Sequence, residues 1–93
     1  ESKFEKYLVD KIMSTYPGAV VLKQNSATLQ GIPDRLILYG NRWAMLEVKA
    51  SATAPSQPNQ SYYVDMFNRM SFASFVCPEN ETQVLHELSN ALI

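Results

Sequence analysis

Ninety-three residues with a formal net charge of −1 make one small domain, residues 1–93, with a single modest core. A hydrophobic content of 46% with 18% charged residues excludes disorder, and no apolar run approaches the roughly 20 residues that cross a bilayer. Residues 1–16 carry charges throughout instead of a signal peptide's apolar stretch, and the lone cysteine, Cys77, can form no internal disulfide, so a reducing, cytoplasmic setting is expected.

Residues 1–16 read as an amphipathic helix. Phe4, Leu8 and Ile12 recur at i, i+4 and i+8 with Tyr7 and Met13 flanking, and Glu1 falls within that stripe with Glu5 beside it. Pro17-Gly18 ends the helix, because proline cannot continue the hydrogen-bond ladder. Ala19 to Leu22 is a short β-branched strand that delivers Lys23 to its end. Residues 24–32 have turn chemistry and no period, and form a loop. Arg35 to Tyr39 and Arg42 to Lys49 are two strands joined by Gly40-Asn41, a good two-residue hairpin connection. Residues 51–57 form a second loop. Pro58 suits the first turn of a helix on which Tyr63, Met66, Phe67 and Met70 follow at helical spacing, with Gln60 one turn before Tyr63. Phe72 to Val76 is a fourth strand. Asn80, with Gln83 three residues later, resembles a capping box and opens a last helix bearing Val84, Leu85, Leu88 and Leu92. The order α-β-β-β-α-β-α predicts an α/β domain in which helices flank a mixed four-stranded sheet.

The hairpin carries the chemistry. With a two-residue turn, Tyr39 opposes Arg42, Arg35 opposes Leu46, and Asp34 opposes Glu47. Directly opposed side chains share a face, with Cβ atoms roughly 4.5–5.5 Å apart, and alternation adds Lys49 to that face. Opposed carboxylates destabilise a sheet, whereas a hard divalent cation such as magnesium or manganese turns their repulsion into coordination. The backbone carbonyl of Val48 is a further candidate ligand. Lys49 adds a positive charge suited to a phosphate oxygen or to activating a water. A three-residue turn would place Asp34 and Glu47 on opposite faces. The alternative is a surface salt-bridge cluster in which Lys49 neutralises Glu47. A net charge of −1 argues against a phosphate-binding protein, but cations held by the acids would cancel that charge locally. Lys23, Arg35, Arg42, Lys49 and Arg69 would then present a positive face.

At these residues the chain resembles a known family. Gly31-Ile32-Pro33-Asp34-Arg35 followed by Glu47-Val48-Lys49 is similar to the PD-(D/E)XK nuclease signature, in the form typical of the VRR-Nuc (virus-type replication-repair nuclease) branch. The opening Glu1-Ser2-Lys3-Phe4-Glu5-Lys6-Tyr7-Leu8 resembles that branch's first helix. Gln57-Pro58-Asn59-Gln60 resembles its S-P-x-Q segment, with Gln57 where serine is common. The likeness covers residues 1–76. It implies a restriction-endonuclease-like core and metal-dependent hydrolysis of DNA phosphodiesters, using one or two Mg²⁺ or Mn²⁺ ions per site. Carried over, Asp34, Glu47 and Glu1 are metal ligands, Lys49 is the positive catalytic group and Gln60 completes the site, with Glu5 the substitute for Glu1. Phage-encoded members of this branch resemble the chain in size. They imply a homodimer that cleaves branched DNA such as Holliday junctions, in DNA repair, within a bacterial host cytoplasm. The competing expectations are a flap or nicking nuclease, and a catalytically silent DNA-binding or assembly module of the same fold.

The remaining candidates carry less. Lys23 and Arg35 are possible DNA contacts by position, and alternation points Arg35 away from Asp34, toward some acid. His86 has no partner at ligand spacing. Trp43, Tyr39, Tyr62 and Tyr63 default to core packing. The chain has no Gly-rich phosphate loop, CxxC pair or nucleophilic triad.

Overall fold

The structure, a computed structural model, describes residues 2–93. Helix α1 spans Lys3–Thr15, and its first turn is capped by Ser2, whose side chain accepts from the Glu5 N–H at 3.1 Å. Strands β1 (Val20–Lys23), β2 (Arg35–Tyr39) and β3 (Arg42–Val48) follow, then helix α2 (Pro58–Met70), strand β4 (Ala73–Val76) and helix α3 (Glu81–Leu92). This is the order expected from the sequence, in an α/β architecture. None of the described helices is long and apolar enough to cross a membrane.

The four strands form one mixed sheet in the order β1-β2-β3-β4. The first three pair antiparallel, and β3 pairs parallel with β4, reached by a crossover through α2. The hairpin register pairs Arg35 with Leu46, Ile37 with Ala44 and Tyr39 with Arg42, as a two-residue turn requires. Gly40 at φ 61° occupies the left-handed region that this turn demands.

Strand alternation divides the side chains between two helical layers. Ile37, Ala44, Leu46 and Val76 face α1 and α3 and meet Leu8, Ile12, Val84, Leu88 and Leu92 in the larger core. Burying each of these branched side chains contributes about 1.5–3 kcal/mol. Met45 and Ala73 face α2 and pack with Val64, Phe67, Trp43 and Phe75 in a smaller one. Trp43 and Phe67 meet edge-on with centroids 6.3 Å apart, and Tyr16 packs on Tyr39 at 5.4 Å. The default assignment of Trp43 and Tyr39 to the core therefore holds, whereas Tyr62 departs from it and is exposed on α2.

A second expectation needs correction. Asn80 precedes α3, but its side chain makes no capping hydrogen bond. Its Oδ1 accepts from the Cys77 N–H at 2.8 Å, and its amide donates to the Phe75 carbonyl at 3.2 Å. The backbone groups at the end of β4 are part-buried and need partners, and the short 77–80 turn brings Asn80 to them. Cys77 is a buried free thiol at this strand end.

Candidate metal centre

The site forms where β2 begins and β3 ends, on the α2 side of the sheet. Continuing the hairpin register one step beyond Arg35–Leu46 brings Asp34 opposite Glu47, and alternation puts both on the face of Leu36 and Met45. Asp34 is anchored from the β1 side. The Gln24 N–H donates to the Asp34 carbonyl at 2.8 Å, and the Gln24 side-chain amide donates to the Pro33 carbonyl at 3.2 Å. Val48 is the last residue of β3 and lies beyond the last pair of the β2–β3 ladder, Arg35–Leu46.

Glu47 is only 4% exposed. Burial pushes its carboxyl up to about 7, and the neighbouring Asp34 carboxylate adds to the rise through its charge and a hydrogen bond. The Lys49 ammonium and the Asp34 backbone N–H pull in the other direction and do not win. Two carboxylates in contact cannot both ionise cheaply, and desolvation raises the cost further. Oε2 of Glu47 accepts from the Gln60 amide at 3.1 Å. Oε1 is buried and has no hydrogen-bond partner among the described residues, an arrangement that costs free energy until a proton or cation reaches it.

Gln60, in the first turn of α2, ties the site together. Its Oε1 accepts from Lys49 Nζ at 2.9 Å and from the Gln57 N–H at 2.9 Å. Those two donors fix the amide orientation, so its NH₂ group must face Glu47. Lys49 Nζ also donates to the Pro55 carbonyl at 2.9 Å and lies 5.6 Å from the centroid of the Phe75 ring. The ammonium is therefore held by an amide, a loop carbonyl and a ring face, and is not neutralised by direct pairing with Glu47.

The 24–34 loop closes against α2. Gly31 sits at φ 94°, and a Cβ there would lie 2.5 Å from the Cβ of Asn59. Glycine is needed both for the left-handed backbone and for the close approach. Between loop and helix lies a cleft of about 480 Å³ bordered by Asp34 and Gln60. A second cleft of about 330 Å³ opens on the other side of the site, beside Lys49, Ser56 and Phe75.

The structure thus brings Asp34, Glu47, Lys49 and Gln60 together and sends other candidates elsewhere. Arg35 points to the opposite face, where its Nε donates to Glu5 Oε2 at 2.8 Å in a largely buried ion pair. Alternation turns Arg35 away from Asp34, and the acid it meets there is Glu5, which is thereby committed to Arg35 instead of to the carboxylate pair. Lys23 pairs with Arg35 in the register and so shares its face, away from Asp34. Glu1 lies outside the described residues. His86 is exposed on α3, in a groove between α1 and α3. Sequence reading missed Gln24, Pro55 and Phe75. Gln24 could have been found by extending β1 one residue along β2, whereas no sequence signal pointed to a carbonyl in the 51–57 loop.

Comparison with family models, curated proteins and solved structures finds no match to this chain.

Proposed function

We propose that this protein is a divalent-metal-dependent DNA endonuclease. The observation that carries the reading is a buried carboxylate, Glu47, opposed by the half-buried Asp34 and linked through Gln60 to the Lys49 ammonium. A structural ion-pair cluster would join the lysine directly to an acid and leave no buried carboxylate oxygen orphaned.

The residues present fit a hard divalent cation. Glu47 Oε1 lacks a donor among the described residues, the Asp34 carboxyl neighbours Glu47, and a backbone oxygen follows at Val48, the last residue of β3. No group of three acids or metal-binding side chains occurs among the described residues. Magnesium commonly binds through one or two carboxylates and keeps several waters, so Mg²⁺ or Mn²⁺ held by Asp34, Glu47 and the Val48 carbonyl suits the set. Glu1 is a further ligand by the sequence resemblance alone. When bound, the ion supplies positive charge to the phosphodiester and acidifies water.

The chain's own groups do the remainder. Glu47, whose carboxyl stands at about 7, would hold the ion as its carboxylate, the proton passing to solvent. Lys49 has three N–H donors, of which two are used by Gln60 and Pro55. The third is available to a phosphate oxygen whose negative charge grows in the transition state. Gln60 holds Glu47 and Lys49 at a fixed separation, which is positioning work.

The resemblance noted above extends the proposal to branched DNA, cut by a homodimer. A domain of this size covers little DNA, and a two-fold dimer doubles the footprint and presents two sites to a symmetric junction. The test is cleavage of labelled linear, single-stranded, flap, nicked and four-way DNAs with Mg²⁺, Mn²⁺ or EDTA. Metal-dependent cutting is expected, with Asp34→Ala and Lys49→Ala folded but at least about 100-fold slower. Undiminished cutting by Asp34→Ala would remove the site assignment. Binding without cutting by the unaltered protein would favour a silent module. Sedimentation at low concentration tests the dimer, and a stable monomer would remove paired junction cleavage.

A further inference from the structure

The cleft beside Asp34 has a chemistry of its own. It is lined by Ser26 and Gln30 from the 24–34 loop, by Gln57, Asn59 and Gln60 from the start of α2, and by Asp34. Asp34 is the only charged residue in that lining, and it is an acid, so the cleft repels phosphate. The first turn of α2 does little to reverse this, because Pro58 has no N–H and the Gln60 N–H is given to the Gln57 carbonyl at 3.0 Å. What the walls offer is one hydroxyl and four side-chain amides, each amide donor and acceptor at once. Gln60 is committed to Glu47 and Lys49. The side chains of Ser26, Gln30 and Asn59 make no hydrogen bond to other described residues. Asn and Gln side chains pair in bidentate fashion with nucleobase edges, and Ile32 and Pro58 add apolar wall against which a base can lie. About 480 Å³ is in the range that holds one small molecule, and is too little for a duplex. The walls are fixed in place by the Gly31–Asn59 approach, which has no room for a side chain.

We propose that this cleft receives one unpaired nucleobase of the strand whose phosphodiester lies at the Asp34–Glu47 pair, read by Gln30 and Asn59. The inference rests on the nuclease reading and deepens it, because it gives the site a means of choosing branched over continuous duplex. Extruding a base costs least where it is already unpaired or mismatched, so a flap, a gap or a branch point with a frayed pair would fill the cleft and intact duplex would not.

The test is equilibrium binding, which does not depend on cutting. Four-way and single-base-gap DNAs carrying 2-aminopurine at successive positions around the branch are titrated with the Glu47→Gln protein. Fluorescence is expected to rise on binding at one position. At that position, an abasic replacement or the Gln30→Ala/Asn59→Ala change should weaken binding about tenfold, the loss of one bidentate base contact. The abasic arm leaves the protein untouched, so it decides the matter even where the double variant folds poorly. No responding position, with abasic and intact DNAs bound alike, overturns the inference. Cutting by the unaltered protein without a base signal removes the cleft and leaves the nuclease. A base signal without cutting removes the nuclease and leaves the cleft.

Discussion

Glu47→Gln separates the electrostatic cost of the site from its shape. The glutamate carboxyl stands at about 7 in the folded chain against an ordinary value of 4.5. The folded value is the higher one, so the folded state binds more protons between these limits. The contribution to stability is complete below pH 4.5 and is lost as pH rises through about 7. The gap corresponds to about 3 kcal/mol, a large share of the roughly 5–15 kcal/mol that a small domain possesses. Glutamine keeps the size, can still accept from the Gln60 amide, and offers Asp34 an N–H where glutamate must retain a proton. In EDTA, Glu47→Gln should match the unaltered protein near pH 4 and exceed it by about 2–3 kcal/mol at pH 8.5, read from urea unfolding at half-unit pH steps. Each kcal/mol is worth roughly 4–8 °C in a domain of this size, so thermal melts should separate by on the order of 10 °C. Millimolar Mg²⁺ or Mn²⁺ should recover much of that difference for the unaltered protein and little for the variant. A stability difference that does not vary with pH, or a variant less stable at pH 8.5, would refute the reasoning.

Further outcomes follow from the same geometry. Arg35→Met leaves the largely buried Glu5 carboxylate without its guanidinium, and should cost about 3–5 kcal/mol in urea unfolding with no change in metal affinity, since Arg35 faces away from the site. Gly31→Ala places a Cβ 2.5 Å from that of Asn59 at φ 94°; it should lower stability by about 1–3 kcal/mol and open the 24–34 loop, read as faster amide exchange at residues 25–32. A Gly31→Ala protein with unchanged stability and exchange would show that the loop does not need the close approach. Gln60→Ala removes the link between Glu47 and Lys49 and should slow DNA cutting while leaving the fold intact; full activity would show that neither group depends on it.

Local rules gave most of the framework. The i, i+4, i+8 stripe of Phe4, Leu8 and Ile12, the Gly40-Asn41 turn and Pro58 each act over a few residues, and each forms the element it signalled. The hairpin register follows from the turn alone, because a two-residue connection fixes every facing pair down to Arg35 and Leu46, and by extension Asp34 and Glu47. Asn80 shows where such rules fail. Its spacing to Gln83 fits a cap, but the Cys77 N–H and Phe75 carbonyl at the end of β4 claim the side chain, and no local pattern encodes that competition.

The sequence by itself determined that two carboxylates and a lysine share one face of a hairpin, since strand period and turn length are properties of neighbouring residues. Only the tertiary structure decided their chemistry. Packing of α2 over β3 and β4 buries Glu47 and brings Gln60 between it and Lys49, folding of the 51–57 loop presents the Pro55 carbonyl, and packing of α1 on the other face takes Glu5 to Arg35. Charge and burial depend on what surrounds a group in space, and those surroundings come from residues far apart in the chain.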